Sequence, residues 1–321
     1  MTTAAPRPSA PSLPRLAALA AFAVALLMLA APALWNGYPL LQYDTGGYLA
    51  RWHEGTLVLA RSTVYGLFLH LGEGWRFWPV VAAQAAVAAW VVGLVLRCLG
   101  LARGPAPVLA VLAILSVATA LPWLAGVLIT DIFAGTGVLA LYLVLIRRDA
   151  LGRFERIGVT LAIAIAAATH SATLAMLLAL VAAAVLANAG IRTIAPWTHL
   201  GHALAALALG AAMLLAANLA VAGRLAWTPG GFELSFGRML QDGIVARYLD
   251  DHCVTEKLKL CPYRKQLPAT ADEFLWDSPI FDELGRFEGL RDEMRRIVLG
   301  SLAEYPLLQL KAALAATLRQ L

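Results

Sequence analysis

Three ionisable side chains interrupt otherwise apolar sequence. Asp44 sits in Gln-Tyr-Asp-Thr-Gly-Gly-Tyr-Leu, Asp131 in Leu-Ile-Thr-Asp-Ile-Phe-Ala-Gly, and His170 in Ala-Thr-His-Ser-Ala-Thr. Arg51 and Arg61 follow Asp44 within one stretch, 35–75. A carboxylate can take a proton, and the planar fork of an arginine can hold an anion such as a phosphate. Ionisable groups at membrane depth are costly, so they usually face a cavity and act there. Gly46 and Gly47 would let a ligand approach the backbone closely. Each residue also has a plainer reading. Asp44 could cap a helix beginning at Thr45, and Asp131 could cap the helix that follows it. His170 with Ser171 could only satisfy turn backbone groups, and Arg61 could snorkel at an interface. Trp35, Trp52, Trp75 and Trp78 read as an interfacial belt rather than as a stacking platform.

The elements that must position these groups follow from composition. The chain has 321 residues, 60% of them hydrophobic and only 14% charged, against about 25% charged in soluble domains. Mean hydropathy is +0.73. From Ile157 to Ile191 there is no Asp, Glu, Lys or Arg, and about 20 apolar residues cross a bilayer. The fold class expected is all-α, a polytopic transmembrane bundle of seven spans with a C-terminal extramembrane segment. A net charge of +5 fits basic loop ends that fix orientation. No basic cluster is interleaved with aromatics, which argues against nucleic acid as a partner.

A tail at 1–15 carries Arg7 and Arg15. The apolar run after it reads as an uncleaved first span rather than a cleaved signal peptide. With Arg15 inside, 35–75 becomes the first outer loop. Spans are expected near 77–96, 107–121 and 126–146, the last ending at Arg147, Arg148, Arg153 and Arg156. The stretch 157–188 reads as two short helices turning at Thr169-His170-Ser171, followed, after Arg192 inside, by a span near 202–222. The bundle occupies 16–222. A charged, aromatic segment, 223–304, is expected outside, with Cys253 and Cys261 as a candidate disulfide. Leucines at 307, 308, 310, 314, 318 and 321 make 305–321 an amphipathic or juxtamembrane helix. This topology places Asp44, Asp131 and His170 on one side of the membrane.

The order of a first span, an outer loop with Asp44 and Tyr48, then Arg61-Ser62-Thr63-Val64-Tyr65 before the second span resembles the GT-C glycosyltransferases. This superfamily includes the protein mannosyltransferases and the aminoarabinose transferases. Thr130-Asp131-Ile132 resembles its second outer acidic segment, and the helix pair around His170 resembles its layout. The likeness covers most of 35–222. It departs where Thr45 follows Asp44 in place of a second acid, and where Ser62 and Thr63 replace the prolines of the entry motif. The family also usually continues with further spans after an outer segment.

The resemblance implies a multi-pass bacterial inner-membrane enzyme using a lipid-phosphate-linked sugar donor and a glycan, lipid or protein acceptor. Asp44 would be the general base, with Asp131 orienting the acceptor. Arg61, and secondarily Arg51, would hold the donor phosphate, and Tyr48, Tyr65 and His170 would contact substrate. No cofactor is established. A divalent cation between Asp44 and Asp131 is compatible, but two carboxylates and His170 are too few to argue for a metal site. The competing readings are a transporter component, an assembly partner, or an inactive relative that binds a lipid carrier.

Overall fold

The computed structural model describes residues 13–190 and 193–319. The expected tail lies, up to residue 12, outside the described residues, as does Arg192. The structure is 78% helical. Among the described residues the only strand-like pairing is an isolated parallel bridge between Leu40 and Val127. The chain divides into two compact units, Met1–Thr228 and Pro229–Leu321.

The first unit begins with α1 (Leu13–Asn36). Two short helices, α2 (Tyr43–Glu54) and α3 (Thr63–Gly72), then occupy the loop. They are followed by α4 (Trp78–Cys98), α5 (Pro105–Ala118), α6 (Leu121–Gly126) and α7 (Asp131–Ile146). The unit closes with α8 (Arg153–Thr169), α9 (Ser171–Gly190) and α10 (Trp197–Ala222). Local chemistry sets these boundaries. The Gln42 backbone N–H donates to Thr45 Oγ1 at the start of α2, and Gly55, at φ 67°, ends it in the left-handed conformation that glycine adopts freely. Ser62 caps α3 by accepting from the Val64 and Tyr65 N–H groups.

Four helical segments are long and apolar enough to cross a membrane: Leu16–Asn36, Trp78–Cys98, Ser171–Gly190 and Trp197–Ala222. A fifth arises if a helix pair in the second unit, bent by 97°, is one broken span. The seven spans expected from sequence are therefore corrected to four or five. The apolar runs at 107–121 and 126–146 fold as helices of only 14 and 16 residues. At 1.5 Å per residue these are about 21 and 24 Å long, short of a hydrocarbon core of about 30 Å. Breaks at Thr119–Ala120 and at 127–130 interrupt what hydropathy alone joins. The helix pair does turn at His170, but α8 begins back at Arg153 with Glu155 and Arg156 in its first turn.

Small residues bring these helices close, as membrane bundles require when burial of apolar surface gives no advantage over lipid. A Cβ on Gly210 would lie 2.5 Å from the Ala164 carbonyl oxygen, and one on Gly137 would lie 2.8 Å from the Ala166 Cβ. α10 and α7 thereby pack onto α8 through alanine and glycine surfaces.

The second unit contains α11 (Gly231–Gln241), α12 (Ile244–His252), α13 (Pro279–Glu283), α14 (Arg286–Glu304) and α15 (Pro306–Arg319). Phe236, Phe274, Phe281, Leu290 and Met294 are fully buried in its core. Cys253 and Cys261 form a disulfide. α15 buries no residue and leaves Leu307, Leu310, Leu314 and Leu318 exposed.

Candidate functional site

The site grows from one face of α2. Asp44, Gly47, Tyr48 and Arg51 recur at i, i+3, i+4 and i+7, so they stack on a single side of the helix. Arg61, entering from the segment before α3, lies along that face. It forms an ion pair with Asp44, and its guanidinium carbon sits 5.6 Å from the centre of the Tyr48 ring, within cation–π range. Gly47 leaves room for the stem of Arg61, because a Cβ there would meet its Cγ and Nε at 3.3 Å. Immediately before Arg61, Ala60 adopts φ 56°, a left-handed conformation costing about 1 kcal/mol for a non-glycine residue. Such outliers persist where surrounding structure imposes them.

Neither acid caps its helix. Gln42 occupies the cap position of α2 and Asp44 its first turn. Thr130 precedes α7, and Asp131 is its first residue. Asp131 is exposed and makes no side-chain hydrogen bond among the described residues. Its charge nevertheless reaches Tyr48. Burial pushes the Tyr48 phenol pKa up, a hydrogen bond to Thr130 and the Arg61 charge oppose this, and Asp44 and Asp131 both push it further up. The Tyr48 hydroxyl lies 3.4 Å from Thr130 Oγ1, and Thr45 Oγ1 donates to the Leu128 carbonyl at 3.0 Å. Both contacts fasten α2 to the extended segment between α6 and α7.

Arg51 is the least expected member. It is only 2% exposed, and its Nε and Nη1 find no hydrogen-bond partner among the described residues. Its closest carboxylate, on Glu54, is 4.0 Å away, well beyond the 2.7–2.9 Å typical of charge-assisted bonds. Burial lowers its pKa, Glu54 opposes this, and the neighbouring Arg61 charge lowers it further. This is a cation short of a counter-charge.

Other residues marked in the sequence are committed elsewhere. Tyr65 is fully buried, and its hydroxyl donates to Gln84 Oε1 at 2.9 Å. Gln84 in turn donates to the Ala125 and Val127 carbonyls at 3.0 Å each. Tyr65 therefore holds helices together rather than facing a ligand. His170 ends α8, and its Nδ1 lies 3.2 Å from Thr173 Oγ1 in the first turn of α9. It shares the end of the bundle with the site, because Ser62 Oγ donates to the Ala168 carbonyl at 2.8 Å. No hydrogen bond joins it to Asp44, Arg61 or Asp131 among the described residues. The tryptophan belt also divides. Trp35 and Trp75 are exposed, whereas the Trp52 Nε1–H donates to the Thr63 carbonyl at 2.7 Å and pins α2 to α3.

Sequence reading missed the polar residues that dock the loop. Gln84 and Asn218 were legible as lone amides in apolar helices. Thr63 Oγ1 donates to Asn218 Oδ1 at 2.6 Å, tying α3 to the end of α10. Thr45, Ser62 and Thr130 carry no comparable signal. Asp44, Arg61 and Tyr48 meet directly on this face of α2, Arg51 is its one buried charge, and Asp131 is exposed at the start of α7 beside Thr130, whose Oγ1 the Tyr48 hydroxyl approaches. Comparison with protein-family models, with curated proteins and with solved structures found no match.

Proposed function

We propose that the chain is a membrane glycosyltransferase that moves a sugar from a lipid-phosphate carrier to a hydroxyl-bearing acceptor, working at the outer face of a bacterial inner membrane. The observation that carries this reading is the pairing of Asp44 with Arg61 beside Arg51, a buried guanidinium with unbonded N–H groups. An anion with several oxygens, such as the phosphate of a lipid carrier, matches that deficit, because the guanidinium fork donates bidentately to such groups.

In this reading Asp44 takes the proton of the acceptor hydroxyl. The acceptor oxygen bonds to the anomeric carbon as the bond from that carbon to the carrier phosphate breaks. The electron pair leaves with the phosphate, whose charge Arg61 stabilises, with Arg51 behind it. Asp131, exposed at the start of α7 next to Thr130, whose Oγ1 lies 3.4 Å from the Tyr48 hydroxyl, orients the acceptor.

The test is sugar transfer by the purified chain from polyprenyl-phosphate-linked donors, with bound carrier lipid measured in parallel. Asp44→Asn is expected to retain the lipid and lower transfer about 100-fold or more, the scale of a lost general base. Transfer at the wild-type rate by Asp44→Asn removes the base assignment. A wild-type chain that binds carrier lipid without transfer to any hydroxyl acceptor is a binding protein instead.

A further inference from the structure

Away from the Asp44–Arg61 face, the same loop holds a second convergence of side chains. His53 lies at the C-terminal end of α2, His70 in the last turn of α3, and Glu73 just beyond it. His53 Nε2 is 2.7 Å from Glu73 Oε1, and His70 Nδ1 is 3.3 Å from the same oxygen. The two imidazole rings meet edge to face with centres 5.3 Å apart. One nitrogen from each histidine and the carboxylate oxygen all lie within 4.8 Å of one another. His70 and Glu73 are neighbours by helical spacing at the end of α3, but His53, 17 residues before His70, reaches them only because α2 docks on α3.

We infer that His53, His70 and Glu73 form a binding site for one divalent ion of the zinc class, which staples the end of α2 to the end of α3. Two imidazoles and one carboxylate are a donor set for Zn2+ and its first-row neighbours, whereas Mg2+ and Ca2+ prefer oxygen ligands throughout. Bonds of about 2.0–2.2 Å to such an ion put tetrahedral ligand atoms roughly 3.4 Å apart. The present spacings reach that arrangement through side-chain shifts of under about 1 Å. The histidine side chains are 53% and 43% exposed, leaving an entry path and an open coordination position for water.

The backbone on either side of Glu73 is constrained. Gly72 has no room for a side chain, since a Cβ there would lie 2.7 Å from Val80 Cγ2. Arg76 and Phe77, at φ 52° and 63°, fix the turn into α4. An ordinary exposed histidine–glutamate pair uses one imidazole. Here two approach a single oxygen, and an ion between them gives each ring nitrogen a partner.

The experiment uses the full chain in detergent, stripped with a chelator and titrated with Zn2+ against a chromophoric zinc indicator. The wild type is expected to bind one equivalent more than the His53→Ala, His70→Ala double variant. Glu73→Gln should weaken that equivalent about tenfold or more. Zn2+ should raise the Tm of the wild type alone, and excess Mg2+ should displace nothing. Equal Zn2+ stoichiometry in wild type and double variant, meaning capture by other groups only, overturns the site. Because all three side chains are exposed or half-buried, the variants are expected to fold. Independently of them, a wild-type complex with Co2+ must show tetrahedral or five-coordinate absorption bands, and their absence is equally fatal. None of these readouts depends on sugar transfer.

Discussion

The two ends of the membrane unit handle arginine in opposite ways. At the end where α4 finishes and α8 begins, Arg97 donates to both Glu155 oxygens at 2.6 and 2.7 Å. Arg103 and Arg153 there are exposed, and the exposed Arg147 donates from Nε to the Tyr142 hydroxyl at 3.3 Å. At the loop end Arg61 is paired, but Arg51 is buried with unbonded N–H groups. A buried charge without a partner costs several kcal/mol. A chain that satisfies one end so completely and leaves the other short of a negative charge has arranged its loop end differently. Positive charge at a bundle end can orient a chain in the membrane, and under the proposed function it would also capture an anion. Burial and pairing, not residue type, separate them.

The largest disturbance of this contrast should come from Gly66. A Cβ there would lie 2.4 Å from the Tyr48 carbonyl oxygen and 3.0 Å from the Trp52 ring. Gly66→Val is expected to undock α2 from α3, costing about 3 kcal/mol or more. Thermal unfolding and protease nicking at 55–61 read this effect. A variant as stable as wild type would show that α2 and α3 do not need this close approach.

Arg51→Leu should separate structure from ligand capture. Replacing a buried unpaired charge with an apolar side chain should leave stability unchanged or raise it by about 1 kcal/mol. Carrier-lipid binding should nevertheless fall roughly tenfold to a hundredfold, the scale of a hydrogen bond to a charged group. Unfolding of this variant, or unchanged lipid binding in a folded one, would make Arg51 a structural residue and erase the contrast.

The smallest effect belongs to the opposite end. Arg97→Ala removes a half-exposed ion pair and should cost under about 1 kcal/mol, and less at high salt. Carrier-lipid binding should not change. A loss of binding here would mean that the two ends are coupled through the bundle.

Much of this organisation is legible in the sequence. Charge-free runs marked the membrane helices, and the helix break at His170 showed as a polar triplet inside apolar sequence. The number of spans was not legible. Hydropathy sees the runs at 107–121 and 126–146 but not the breaks that leave α5 and α7 short. Tyr65 and Tyr48 looked equivalent, yet Tyr65 bonds to Gln84 inside the bundle while Tyr48 meets the Arg61 guanidinium. Side-chain type does not say which way a helix faces when both faces are buried.

What the chain alone determined is therefore the membrane character and the presence of acids, arginines and a histidine at helix ends, because transfer free energy and helical period are local properties. Tertiary structure decided that Tyr48 meets Thr130 next to Asp131, that Arg51 is buried with only Glu54 at 4.0 Å, and that His53 and His70 meet at Glu73. These depend on how two short helices dock onto the bundle. That docking is set by close backbone approach at Gly66 and by hydrogen bonds from Thr45, Ser62 and Thr63 to residues 83 to 155 positions away, and no local pattern encodes such distances.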